Sequence, residues 1–184
     1  MAKLRGFLSW SGERSECLAR RIDEWLPIIV PEVELFFSPT MAPGAMWSEA
    51  VASAVRRSNF GVICVTSDNL GSPWLHFEAG ALWRGATENS MVCPLLLGVT
   101  TESLPDTLRL FQAKPFDERG FKDLCRFLGD KTRLHPDKLR YGFETTWPSL
   151  SRDVESDLRH VKAVGRPNKR MQRTRPAQAT KPRR

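Results

Sequence analysis

The chain lacks any apolar run long enough to span a bilayer, which needs about 20 residues as a helix, so no transmembrane segment is expected. Its first residues, MAKLRGFLSWSGERSE, turn charged before the apolar core of a secretory signal can form. Cysteine is scarce: Cys17, Cys64, Cys93 and Cys125 are widely spaced and form no CxxC pair. Neither a disulfide framework nor a zinc site follows from that spacing. Cys64 and Cys93 lie in apolar, strand-like runs, where a buried free thiol is the expected state, and a reducing, cytoplasmic setting fits. There is no GxGxxG, no GxxxxGK and no HExxH, so no redox cofactor, phosphate-binding loop of that type or catalytic metal is expected. Internal repeats are also missing.

What is present in excess is positive charge, at +7 overall, and its distribution matters more than its size. Residues 165–184, GRPNKRMQRTRPAQATKPRR, carry eight of the 28 basic residues and no acidic ones. Removing them leaves 20 basic against 21 acidic residues, a net of −1. The body is near neutral and the basicity belongs to a tail. With no aromatics and no periodic apolar face, that tail is expected to be disordered. It can touch phosphates non-specifically, but a nucleic-acid-binding module would rest on the tail alone and is not expected.

Along the body, short apolar runs alternate with amphipathic stretches. RGFLS (Arg5–Ser9) reads as a first strand. Cys17, Leu18, Ile22, Trp25 and Leu26 then recur at three- and four-residue steps, one face of a helix that Pro27 ends or kinks. VELFF (33–37) is a second strand, followed by a turn-rich loop, SPTMAPGAMW, and a helix over 48–57 with Val51, Ala54 and Val55 inward. FGVICVT (60–66) and VCPLLL (92–97) are apolar at nearly every position, as strands covered on both faces must be. Between them, Pro73 opens a helix at its favoured first-turn position. An edge strand over 108–116, limited by Pro115, a helix carrying Phe121, Leu124, Cys125 and Leu128, and a charged final helix over 149–164 complete the reading. The rhythm is that of an open α/β sheet, mostly parallel.

In such sheets ligands collect beyond the carboxyl ends of the strands. Three loops emerge there, SWSGERS, SPTMAPGAMW and TSDNLGSPW, each mixing Ser, Gly or Pro with a tryptophan. In the following PWLHFEAGALW, one acid, Glu78, stands among apolar residues, and a carboxylate beside aromatics is costly unless paired or used. Glu78 is one helical turn beyond Trp74, near a helix start whose dipole favours an ionised acid. It fits an acid at the rim of a cleft with Trp74 as a flat wall. It equally fits a surface residue balancing the helix terminus, or a salt bridge to Arg84 or Arg5. His76, two residues from Trp74, points away from that face and reads as solvent-facing.

FLSWSGERS, FFSPTMAPGAMWSEAV and FGVICVTSDNLGSPWLHFEAGAL, in that order, resemble the three signature segments of bacterial TIR domains, over roughly residues 3–130. The resemblance implies a flavodoxin-like fold with a mostly parallel sheet of about five strands, and NAD glycohydrolase activity. NAD would be a substrate, not a cofactor. The family's catalytic glutamate falls on Glu78, and its aromatic four residues earlier on Trp74. Ser9, Trp10 and Ser11 match the pocket-lining end of the first strand. Ser38, Pro39, Met46 and Trp47 match the BB loop, which closes over ligand or contacts the next subunit. Trp10 and Trp47 also read as partly buried packing residues. Arg14 is the nearest basic residue for a phosphate, two positions further along than the family pattern places it. The resemblance further implies bacterial anti-phage signalling, self-association through the loop from Ser38 to Trp47, and a separate sensor or effector partner. Adaptors that act only through TIR–TIR association commonly lack the Trp–Glu pair. The expected division is a TIR domain over 1–130, a helical extension over 131–164 and the basic tail over 165–184.

Overall fold

Phe60–Thr66 and Met91–Leu97 lie side by side at the centre of the sheet, because neither strand offers a polar face to water. The computed structural model describes residues 3–37, 49–73, 75, 79–80 and 91–164. In chain order the elements are β1 (Leu4–Ser9), α1 (Glu13–Ile29), β2 (Val33–Phe37), α2 (Glu49–Arg57), β3 (Phe60–Thr66), β4 (Met91–Leu97), a 3-10 turn (Thr101–Ser103), α3 (Asp106–Arg109), β5 (Lys114–Pro115), α4 (Glu118–Thr132) and α5 (Pro136–Val164). Pro73, Leu75, Ala79 and Gly80 are also helical. The strands pair in the order β2-β1-β3-β4-β5, every pair parallel. This is the flavodoxin-like order, in which the chain reverses direction across the sheet between β1 and β3.

Alternation along the strands builds two cores. On one face Leu8, Val62, Cys64 and Leu95 meet Leu18, Ile22 and Leu26 of α1 and Phe121, Leu124 and Leu128 of α4. On the other, Phe7, Ile63, Val65 and Leu96 meet Val51 and Val55 of α2, together with Leu75, Ala79 and Leu108. Gly6 is glycine for a steric reason: a Cβ there would lie 2.2 Å from the ring of Phe60 on the neighbouring strand.

Several boundaries differ from the sequence reading. Helix α1 does not stop at Pro27 but runs on to Ile29, since Val30 still donates to the Leu26 carbonyl and Ile29 is buried. Cys17 and Trp25, expected on its inner face, are only half-buried, and Ala19 and Ile29 take inner positions. The strand expected over 108–116 is reduced to two residues, and Leu108 belongs to a short helix instead. Proline has no N–H for the ladder, and the pairing is extended by Phe116 donating to the Leu96 carbonyl at 2.7 Å. The final helix begins at Pro136, well before Ser149, and passes through Pro148. It lies on α1 and α4, with Phe143 and Trp147 stacked at 5.7 Å beside Phe121. Arg21 of α1 holds it electrostatically, with Nε at 2.8 Å from Asp157 and Nη1 at 3.7 Å from Asp153. The hydrogen bonds that Arg21 donates to Asp157 raise the Arg21 pKa above its usual value. All four cysteines are free thiols, and burial raises the pKa of Cys64, Cys93 and Cys125, Cys93 to about 12.

Candidate functional site

The carboxyl ends of β1 and β3 flank the point where the strand order reverses, the place where open parallel sheets hold ligands. After Ser9, β1 gives way to Trp10, Ser11 and Gly12 before α1 begins. Gly12 has φ +88°, a conformation that favours glycine, and no side chain caps the helix there. Ser15 does the local work. Its hydroxyl accepts from the Ser11 N–H at 3.0 Å and lies 2.7 Å from the Ser11 carbonyl and 3.0 Å from that of Gly12. Glu13 and Glu16 in the first turn complement the positive end of the α1 dipole.

The loop leaving β3 is tied to this one by a buried amide. Asn69 is 3% exposed. Its Oδ1 accepts from the Thr66 N–H at 2.8 Å, while Nδ2 donates to the carbonyls of Cys64 at 3.0 Å and Ser11 at 3.1 Å. Ser72, three residues on, places its hydroxyl 3.1 Å from that of Ser11. On the outer side Arg14 Nη1 donates to Ser67 Oγ and Asp68 Oδ1, both at 2.9 Å. The two loops of the switch point are thereby one hydrogen-bonded unit, with the Ser11 and Ser72 hydroxyls at its half-buried edge.

Of the residues expected in a site, Ser9 is fully buried at the end of β1 and Ser11 joins the network just described. Trp10 is 7% exposed, belongs to the α1-side core and packs on Phe37 at 5.5 Å between ring centres. The guanidinium of Arg20 covers the same Phe37 ring. Arg14, the phosphate candidate, is engaged by Asp68. Ser38, Pro39, Met46, Trp47, Trp74, His76 and Glu78 lie outside the described residues. Their neighbours Leu75 and Ala79, four apart, are both buried in the α2-side core. The reading of SDNLGS as a plain loop missed Asn69 and Ser72. The available signal was an Asn three residues past a strand end, a position from which its side chain can bond local backbone. Among the described residues no group of three or more His, Cys, Asp or Glu could hold a metal ion, and no helix is long and apolar enough to cross a membrane.

A doubly wound parallel sheet with a polar clasp at its switch point defines a flavodoxin-like α/β protein. The TIR domain family model matches residues 7–126, and the chain belongs to that family. The family is known for NAD cleavage and for adaptor roles, and its members self-associate and work within oligomeric assemblies. No curated protein matches the chain. Among solved structures it is similar to the TIR domains in the structure of the activated Roq1 resistosome directly recognizing the pathogen effector XopQ. That match has 15% identity and a TM-score of 0.44, and covers 89% of this chain and 99% of that one.

Proposed function

We propose that this protein is an NAD glycohydrolase that cleaves the nicotinamide–ribose bond, with Glu78 as the catalytic residue. One observation carries the reading: the Trp74–Glu78 pair follows directly in the chain on Ser72 and Pro73, and Ser72 is bonded to the first switch-point loop. In this reading the helix that starts at Pro73 would deliver Glu78 to the carboxyl end of the sheet. The bond breaks through an oxocarbenium-like transition state, and a carboxylate beside the ribose stabilises the positive charge that develops. Nicotinamide leaves as a neutral group, so a second carboxylate acting as general acid is not required. Trp74 would stack on a base. Ser9 and Ser11 would line the pocket floor, with Trp10 as a packed support beneath, and Ser38, Pro39, Met46 and Trp47 would close over the ligand or meet the next subunit. The product is ADP-ribose, linear or cyclised. Free, largely buried thiols suit a cytoplasmic setting, and bacterial anti-phage signalling with a separate sensor or effector is the role proposed. Association through residues 38–47 is head-to-tail, a geometry that builds open filaments.

The test is nicotinamide release by the purified chain at high concentration, measured by chromatography. Glu78→Gln is expected to lower the rate by about 10²-fold or more, the scale on which removing a charge-stabilising group acts, while leaving thermal unfolding unchanged. Turnover unaffected by Glu78→Gln would end the catalytic assignment and leave an adaptor working by TIR–TIR association.

A further inference from the structure

The opposite end of the sheet carries a second feature that the switch point does not use. Two adjoining hollows of about 430 and 470 Å³ share Arg5, Glu34 and Arg57, at the amino ends of β1 and β2 and the last turn of α2. Their volumes fall in the range of small-molecule sites, about 300–1,000 Å³. Among the described residues Lys3, Arg5 and Arg57 face a single acid, Glu34, so these groups give the hollow a local +2 within a body whose net charge is −1.

These cations are not consumed by structural duties. The Lys3 and Arg57 side chains have no ion-pair or hydrogen-bond partner among the described residues. Arg5 meets Glu34 only at 3.9 Å, with both side chains more than half exposed, and such a pair is worth about 0–1 kcal/mol. The last turn of α2 gains from one cation against its carbonyl dipole, and Arg56, which is engaged, already stands there beside Arg57. The frame beneath is rigid. Asn59 Oδ1 accepts from the Arg5 N–H at 3.0 Å and the Asn59 N–H donates to the Arg5 carbonyl at 2.7 Å. This leaves the Asn59 amide NH2 without a bond among the described residues. The floor is apolar, formed by Phe36 and Ala54, and Phe36 is held flat by stacking on Phe7 at 5.7 Å and 15°.

We propose that this hollow binds an organic phosphate of the nucleotide type. Its phosphate lies against Lys3, Arg5 and Arg57 and its flat ring against Phe36, with Glu34 accepting from a sugar hydroxyl. Guanidinium groups match phosphate oxygens in two-point geometry. The carboxylate sets the site apart from a simple polyanion trap, because it repels bare phosphate chains and favours a ligand that also presents a hydroxyl. The proposal does not depend on the NAD reading.

The experiment is calorimetric titration of ADP into the full-length protein at low salt. Saturable one-to-one binding is expected, weakened at least tenfold in Arg57→Glu, kept within threefold in Arg57→Lys and unchanged in Arg152→Glu, an exposed arginine on α5. Pyrophosphate, which lacks ring and sugar, is expected to bind at least tenfold more weakly than ADP. Nicotinamide release read on the same variants separates the two proposals: Arg57→Glu is expected to keep release and lose ADP, Glu78→Gln the reverse. Absence of saturable ADP binding overturns the site, as does equal weakening by Arg152→Glu or equally tight pyrophosphate. Binding lost in Trp74→Ala but kept in Arg57→Glu would put ADP at the other end of the sheet. A poly-glutamate peptide that binds where ADP does not would make the hollow a protein-docking surface, and either result refutes the proposal.

Discussion

Replacing Asn69 by alanine removes the clasp between the two switch-point loops at a cost that follows from its bonds. The side chain makes three hydrogen bonds of 2.8, 3.0 and 3.1 Å and is 3% exposed, so water cannot take its place. Each intramolecular bond is worth about 0.5–1.5 kcal/mol net, and a buried group left unpaired costs about 1–3 kcal/mol. Asn69→Ala is therefore expected to destabilise by about 3 kcal/mol, which for a domain of this size lowers the melting temperature by roughly 6–12 °C. Urea unfolding followed by tryptophan fluorescence measures it as a shift in midpoint at constant slope. Asn69→Asp is the sharper probe. Its carboxyl keeps an acceptor for the Thr66 N–H but faces the carbonyl oxygens of Cys64 and Ser11, which only a protonated acid can satisfy. The folded state then binds that proton more tightly than the unfolded chain, so the variant is most stable at low pH and loses stability as pH rises through the raised folded pKa. A loss below about 1 kcal/mol in Asn69→Ala, or a deficit in Asn69→Asp that does not vary with pH, would refute the clasp.

Two further outcomes are expected. A Cβ at Gly120, in the first turn of α4, would stand 2.2 Å from the backbone oxygen of Pro115. Gly120→Ala should thus cost about 1–3 kcal/mol by overpacking, read as a lower urea midpoint. Asp23 on α1 has its pKa raised by desolvation. Its charge therefore opposes folding above the ordinary carboxylate pKa, and the penalty appears as pH rises from there to the raised folded value. Asp23→Asn should raise the melting temperature at neutral pH, with the gain vanishing at pH values below about 4. A gain of equal size at low pH would assign the effect to something other than the charge.

The sheet was legible wherever burial wrote itself into composition. FGVICVT and VCPLLL are continuously apolar because both faces are covered, and the steps Leu18, Ile22, Leu26 mark the side of α1 that meets the sheet. The later elements were harder to read because tertiary contacts decide them. The first half of α5 sets Leu139, Phe143 and Trp147 among polar and charged residues, and these become an inner face once Phe121 is in place to receive Phe143 and Trp147, while Arg21 holds the second half through Asp153 and Asp157. Pro115 announced a limited edge strand, yet the shift of Leu108 into a helix depended on the α2-side core claiming it.

The site divides along the same line. Motif spacing picks out Trp74 and Glu78 as candidates because it reads residue identity at a fixed local interval. Asn69 escapes that kind of reading because its partners are split between near and far: Thr66 and Cys64 are three and five residues away, and Ser11 is 58 residues away. A neutral amide suits this position better than a charged group, since it can donate and accept at once and needs no counter-ion in a place without water. Ser72 repeats the connection from the same loop, so the segment that leads to Pro73 is fixed to the end of β1 at two points. Displacing Ser11 must therefore disturb Asn69 and Ser72 together, which makes the first loop part of the geometry of the second.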